Sequence, residues 1–171
     1  MMNILRFEVP GNPISWKRTK TGVNQKTGRA IRFNPKKMKE RQNDVWIACH
    51  RAMAEQGFPR AAGAVALFVL VKFRRPKSDA GRPWHTQVPD YDNCGKLVAD
   101  ALKGVAWNDD AQVVGGPTWK CWVDEEPGYV VWVKRLPGMV DRAKDAFRQL
   151  RAASSLVLDV FEHETKRGMG F

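Results

Sequence analysis

The chain has 171 residues, enough for one domain with a real core, and 43% of them are hydrophobic, with seven tryptophans, which excludes global disorder. Its formal charge is +11 at pH 7 and its pI is near 9.9, so a polyanionic partner is expected, nucleic acid before an anionic membrane. No apolar run approaches the ~20 residues of a membrane span, and no signal-peptide apolar region opens the chain. Cys49, Cys94 and Cys121 are scattered without a C-x-x-C pair, which speaks against a disulfide framework or a zinc site. The expectation is a soluble, cytoplasmic protein with no membrane partner.

Residues 3–9 partly alternate and predict a first strand, ended by Pro10-Gly11-Asn12-Pro13. Residues 10–34 show no convincing period. From Pro10 to Lys37 the chain carries Lys17, Arg18, Lys20, Lys26, Arg29, Arg32, Lys36 and Lys37 and no acidic residue. So long a loop is either a solvated insertion or functional. Unopposed basic charge favours contact with DNA phosphates, with Lys17, Arg18 and Lys20 as expected contacts. Asn34-Pro35 then reads as an N-cap followed by proline at the first helical position. Met38, Gln42, Val45, Cys49, Ala52 and Gln56 recur at helical spacing, and Gly57 ends the run. Trp46 and His50 fall near its apolar side; His50 has no partner at metal-ligand spacing and reads as a packed or rim histidine.

Residues 64–73 are apolar at nearly every position, which predicts a central strand. It delivers Arg74 and Arg75, and then Arg82, toward the acidic segment that follows. These arginines would either neutralise that segment or hold phosphate. Pro89 disfavours helix for Val88, and Asp90 or Asp92 suits an N-cap. Leu97, Val98, Ala101, Leu102 and Val105 form an apolar helical stripe, while Asp92, Lys96 and Asp100 stand four apart on another face. Gly104 is a natural C-terminal cap. Asp109 and Asp110 follow in a short connection. A helix of about a dozen residues is roughly 18 Å long, so the chain must double back for Asp110 to reach Asp90 and Asp92.

Residues 112–123 and 129–134 predict two strands of a hairpin, with Gly128 supplying the turn. Trp119, Trp122 and Trp132 sit inside the strand patterns and read as core or cross-strand residues. Lys120 points opposite to Trp119 and is placed to face DNA. Pro137-Gly138 marks a boundary between a domain over 1–136 and a helical extension over 137–171. In that extension Val140, Ala143, Phe147, Leu150, Ser154, Val157 and Phe161 keep a 3-4 spacing. This helix either folds back on its own domain or forms a helix–helix dimer contact.

Three blocks, in order and spacing, carry a resemblance: Asp90-Tyr91-Asp92-Asn93-Cys94-Gly95-Lys96, Asp100-Ala101-Leu102, and Trp107-Asn108-Asp109-Asp110-Ala111-Gln112. They resemble the D-x-D-N-x-x-K, D-A-L and W-x-D-D-A-Q blocks of the RusA family of Holliday-junction resolvases. The resemblance spans roughly residues 3–135. Tyr91 departs from it, standing where an aliphatic residue is usual, and Cys94-Gly95 is an unusual pair inside first helical turns. The resemblance implies that Asp90, Asp92 and Asp110 hold divalent metal, with Lys96 beside the reacting phosphate, and that the protein is a homodimer acting on branched DNA. Carboxylates suit Mg²⁺, with Mn²⁺ as a substitute, because Mg²⁺ takes oxygen ligands and keeps several waters.

The resulting expectation is an α+β domain, a small mixed sheet of about four strands packed with helices, plus a C-terminal amphipathic helix. Its function would be Mg²⁺-dependent resolution of four-way DNA junctions by paired symmetric nicks, in recombination and repair. Two other readings stay open: a non-catalytic basic DNA-binding module, and a metal nuclease acting on branched nucleic acid more generally.

Overall fold

A computed structural model describes residues 3–33, 35–78 and 81–136, together with Arg148, Arg151, Ala152 and Ser155. Its elements in chain order are β1 (Ile4–Pro10), β2 (Lys20–Val23), β3 (Ala30–Phe33), α1 (Lys36–Gln56), β4 (Val65–Arg74), α2 (Tyr91–Leu102), a 3-10 turn (Asp110–Gln112), β5 (Val113–Gly115), β6 (Thr118–Val123) and β7 (Gly128–Arg135). The helix expected over 137–171 lies outside the described residues, apart from four that are helical and exposed.

β4 is the central strand, as its unbroken apolar run requires. It pairs antiparallel with β7 along one edge and parallel with β5 and β6 along the other; β1 closes the far side of β7. The sheet is therefore mixed and has five strands, one more than expected. β5 and β6 are one edge interrupted at Gly116-Pro117. There Gly116 has φ +129, and a Cβ on it would lie 1.8 Å from the Leu67 carbonyl oxygen. Only glycine permits so close an approach of two backbones.

The expected 112–123/129–134 hairpin is not formed. Instead, β6 and β7 lie on opposite sides of β4, and residues 124–127 cross its end. Gly128 has no positive φ; its lack of a side chain serves close packing, since a Cβ would meet the Val9 carbonyl oxygen at 2.5 Å. The segment before α1 also differs from expectation. β2 and β3 form a separate antiparallel ribbon within the aperiodic stretch. Its turn is built by Asn24, whose Oδ1 accepts from the Lys26 and Thr27 amides at 2.9 and 3.3 Å, with Gly28 at φ +66.

Both helices pack on one face of the sheet. Met38, Val45, Cys49 and Ala52 of α1 and Leu97, Val98, Ala101 and Leu102 of α2 meet the inward side chains of β1, β4 and β7. The N-cap of α1 is Pro35; Asn34, expected to cap, lies outside the described residues. Gly57 ends the helix at φ +60. Trp46 and His50 do not join its apolar side: they stack on each other at 5.2 Å on the solvent face, with Trp46 43% exposed. Arg41, by contrast, is only 8% exposed. Its guanidinium donates to the carbonyls of Pro10, Val9 and Gly11 at 2.7, 3.0 and 2.8 Å and lies 5.0 Å from the Tyr129 ring. It thus fixes the point where β1 hands over to the basic segment. The second face of the sheet carries a smaller buried cluster of Ala66, Phe68, Leu70, Cys121, Val130 and Trp132. All three cysteines are buried.

Candidate active site

α2 forms for the reasons its sequence gives: an apolar stripe facing the sheet and a Pro89 stop before it. Its N-terminal half sits unusually close to β6, because a Cβ on Gly95 would fall 2.3 Å from Thr118 Oγ1. The Cys94-Gly95 pair is thereby explained. Cys94 fills the core, where burial pushes its thiol up to about 11, and Gly95 admits the neighbouring strand. Asp92, Lys96 and Asp100 remain on the exposed face, one turn apart.

Asp90 occupies the N-cap position of α2, yet its carboxylate makes no capping hydrogen bond. Neither the Asp90 nor the Asp92 carboxylate has a hydrogen-bond or ion-pair partner among the described residues. The approach to them is strapped down from below. Lys120 Nζ donates to the carbonyls of Gln87 and Pro89, both at 2.6 Å. The His85 amide bonds the Lys120 carbonyl at 3.2 Å, and the Trp122 amide bonds the Pro83 carbonyl at 2.9 Å. Residues 83–89 therefore run beside β6 to the acid pair. The His85 ring packs between Phe73 and Trp122, at 3.9 and 4.2 Å between centroids. Burial first, and then the Lys120 charge, hold His85 below its usual pKa.

Trp16 lies on the exposed face of α2. Its amide bonds the Asn93 carbonyl at 2.9 Å, the Lys96 ammonium sits 4.7 Å above its ring, and its indole lies close enough to Asp100 to oppose the rise that burial gives that carboxyl's pKa. Just before it, Ile14 is held through both backbone groups by the Tyr129 hydroxyl, which accepts from the Ile14 amide at 2.8 Å and donates to its carbonyl. The basic segment is thus rooted on the acidic helix before it reaches the β2–β3 ribbon. Sequence reasoning missed Trp16 because it stands in an aperiodic stretch; the only signal was an isolated aromatic in a basic loop.

The other end of α2 is different. The chain turns through Gly104 (φ +80), whose amide bonds the Trp107 carbonyl at 2.7 Å. Asp109 caps the 3-10 turn by accepting from the Ala111 amide at 3.0 Å. Gln112 Oε1 returns a bond to the Asp109 amide at 2.9 Å, completing a capping box. Lys103 Nζ bridges Asp109 and Asp110 at 3.1 and 3.2 Å. Asp110 also accepts from Trp107 Nε1 at 3.4 Å. Burial raises the Asp100 pKa, Lys96 opposes this, and the Asp110 charge adds to it, so Asp100 and Asp110 share one neighbourhood. Asp92 and Asp100 are two turns apart, about 12 Å along the axis. Among the described residues no three His, Cys, Asp or Glu side chains come together as a metal-ligand set. Asp90, Asp92 and Asp110 are thus drawn to one helix without converging into the expected triad.

The basic residues divide likewise. Lys17 and Arg18 are exposed directly after Trp16, and Lys20 opens β2. Arg75 is paired at 2.9 Å with Asp124, and Arg74 bonds the Asp124 carbonyl at 3.3 Å. The acid they meet is therefore Asp124 in the β6–β7 connection, not the acids of α2. Arg75 also holds the Arg82 carbonyl at 2.6 Å, leaving the Arg82 side chain exposed. Lys120, half-buried, has its ammonium on the Gln87 and Pro89 carbonyls.

Between the exposed face of α2 and the β5–β6 connection runs an open groove of about 560 Å³, lined by Tyr91, Asp92, Lys96, Ala99, Val113, Val114, Pro117 and Thr118 among others. Paired carboxylates with an adjacent ammonium, on a strongly basic chain, are compatible with a phosphodiester-cutting enzyme and with a DNA-binding module alike. The family model described as Endodeoxyribonuclease RusA matches residues 10–134, and the chain belongs to that family. Membership implies endonuclease activity on Holliday junctions, and its nucleases generally depend on a divalent metal. No curated protein matches the chain. Among the described residues no helix is long and apolar enough to cross a membrane.

Proposed function

We propose that this protein is a Mg²⁺-dependent resolvase, with Mn²⁺ as substitute, that cuts four-way DNA junctions by paired symmetric nicks in recombination and repair. The observation that carries the reading is the isolation of Asp90 and Asp92. Both carboxylates are exposed, close in sequence and without a partner among the described residues, whereas Asp109, Asp110 and Asp124 are each held by a cation. Two unpaired carboxylates at one helix start repel each other and gain nothing locally, since neither caps. They fit a hard cation that takes one or two protein carboxylates and completes its shell with water and phosphate oxygens.

Asp90 and Asp92 would hold that cation, which supplies Lewis-acid polarisation of the phosphate and of an attacking water. Hydrolysis forms a bond from water oxygen to phosphorus and breaks the bond to the 3′ oxygen, which leaves with a proton. Lys96, held over Trp16 one turn beyond Asp92, would offset the negative charge that builds on the phosphate oxygens. Asp110 is the expected third oxygen donor, and it must leave Lys103 to serve. Lys17, Arg18, Lys20 and Arg82 would contact phosphates. Two nicks in symmetry-related strands call for two such sites, so the working unit would be a homodimer with a two-fold axis, in the cytoplasm of a bacterial or phage-infected cell.

The test is gel cleavage of a synthetic four-way junction beside a matched linear duplex, with Mg²⁺ or EDTA, for wild type and Asp92→Asn. Paired nicks in the junction alone, abolished by EDTA and by the substitution, are expected. Cleavage of both substrates would leave a nuclease of broader range. Binding without cleavage under every metal condition would overturn the catalytic reading.

A further inference from the structure

The groove beside α2 is built, and away from Asp92 and Lys96 its walls are largely apolar. One wall is α2, pressed onto β6 through Gly95. The other is the β5–β6 connection, pressed onto β4 through Gly116. Both glycines sit too close to their neighbours to carry a side chain, Gly116 against the Leu67 backbone and Gly95 against the Thr118 side chain, so close packing holds both walls. Within this frame stand two exposed apolar side chains, Tyr91 at 62% and Val114 at 53% exposure, one on each wall. Leaving both in water has a cost that nothing inside the molecule offsets. The same groove is lined by Asp92 and Lys96, so it opens directly onto the site where the phosphate would be cut.

Resting on the resolvase reading, we propose that this groove is a nucleobase subsite: it takes the base beside the scissile phosphate, with the Tyr91 ring as stacking platform and Val114 on the facing wall. An aromatic face and a branched aliphatic side chain offer nothing to phosphate oxygens and suit the flat, weakly polar face of a base. A volume of about 560 Å³ is that of a small-molecule site, large enough for one nucleoside. A base in a continuous duplex must be unstacked and unpaired to enter, which costs a few kcal/mol, and the cost is least for a base already out of the stack. Bases at the branch point of a junction meet that condition. The groove therefore ties cutting to branched DNA without requiring any contact to the junction as a whole. Tyr91, the residue that departs from the family's aliphatic pattern, would make the subsite particular to this chain.

The experiment uses the full-length protein and junctions carrying 2-aminopurine at one position at a time on either side of the nick. In EDTA, wild type should change the fluorescence at one position next to the nick. Tyr91→Ala should abolish that change and lower junction kcat/KM in Mg²⁺ about tenfold, while Tyr91→Phe retains both. Val114→Asp, at an exposed position, should act like Tyr91→Ala by placing a carboxylate against the base. The proposal is overturned if no position responds to wild type, or if Tyr91→Ala and Val114→Asp cut at wild-type rates. Failure of the resolvase reading looks different: wild type itself would nick no junction in any divalent metal.

Discussion

The two ends of α2 carry the same residue type and treat it in opposite ways. At the C-terminal end, Asp109 caps a turn, Asp110 pairs with Lys103 and Trp107, and Gln112 closes the capping box. At the N-terminal end, Asp90 stands at a capping position without capping, and the Asp92 carboxylate has no partner among the described residues. Counting acids would rank the two clusters equally. Asking what each carboxylate already holds separates them, because a paired acid is committed to the fold and an unpaired one is available to a ligand.

The largest expected difference comes from the unpaired end. Asp92→Asn should lower junction cleavage by roughly 10²–10³-fold while leaving junction binding intact or tighter, as measured by single-turnover cleavage and gel shift. Next is the strap beneath that end. Lys120→Met removes two charge-assisted bonds to the Gln87 and Pro89 carbonyls and should slow cleavage about tenfold by freeing the position of Asp90. Because the Lys120 ammonium sits on those carbonyls, the salt dependence of DNA binding should not change. A slope reduced by about one would instead make it a phosphate contact.

At the paired end, Lys103→Met should release Asp110 and lower the Mg²⁺ concentration that gives half-maximal cleavage; an unchanged metal requirement would remove Asp110 from the ligand set. Gly95→Ala should destabilise the fold by about 1–3 kcal/mol in a denaturant titration, and Thr118→Ala in the same chain should restore part of it. The smallest effect belongs to Trp16→Phe, which keeps a ring under Lys96 and removes the indole N–H beside Asp100. A change of a few-fold in kcat with unaltered KM is expected.

How much of this could be read beforehand depends on the range of the interaction. α2 was legible because its apolar spacing, its Pro89 stop and its polar stripe are all local. β4 was legible as central because it is apolar on both faces. The partner choice of β6 and β7 was not: adjacent strands separated by a Pro-Gly turn look like a hairpin, and only the tertiary fold inserts β4 between them. The β2–β3 ribbon left a signal, Asn24 followed by Gly28, which short polar strands around it obscured. In the site, the acids were legible as a motif, but their pairing was not. Trp16 docking and the Lys120 bonds to the Gln87 and Pro89 carbonyls depend on residues distant in sequence, which no spacing rule reaches.

The order of strands in the sheet has a consequence for the protein's own synthesis. β7, the last of the seven described strands, lies between β1 and β4, the first strand and the central one. Until residues 128–135 have left the ribosome, β1 has no partner in the sheet, and the Tyr129 hydroxyl that anchors Ile14 is missing. The basic segment of an unfinished chain thus keeps its bond to the acidic helix through Trp16 but lacks its anchor at Ile14. A strand that arrives last yet lies in the middle of the sheet ties the closing of that sheet to the end of the described chain.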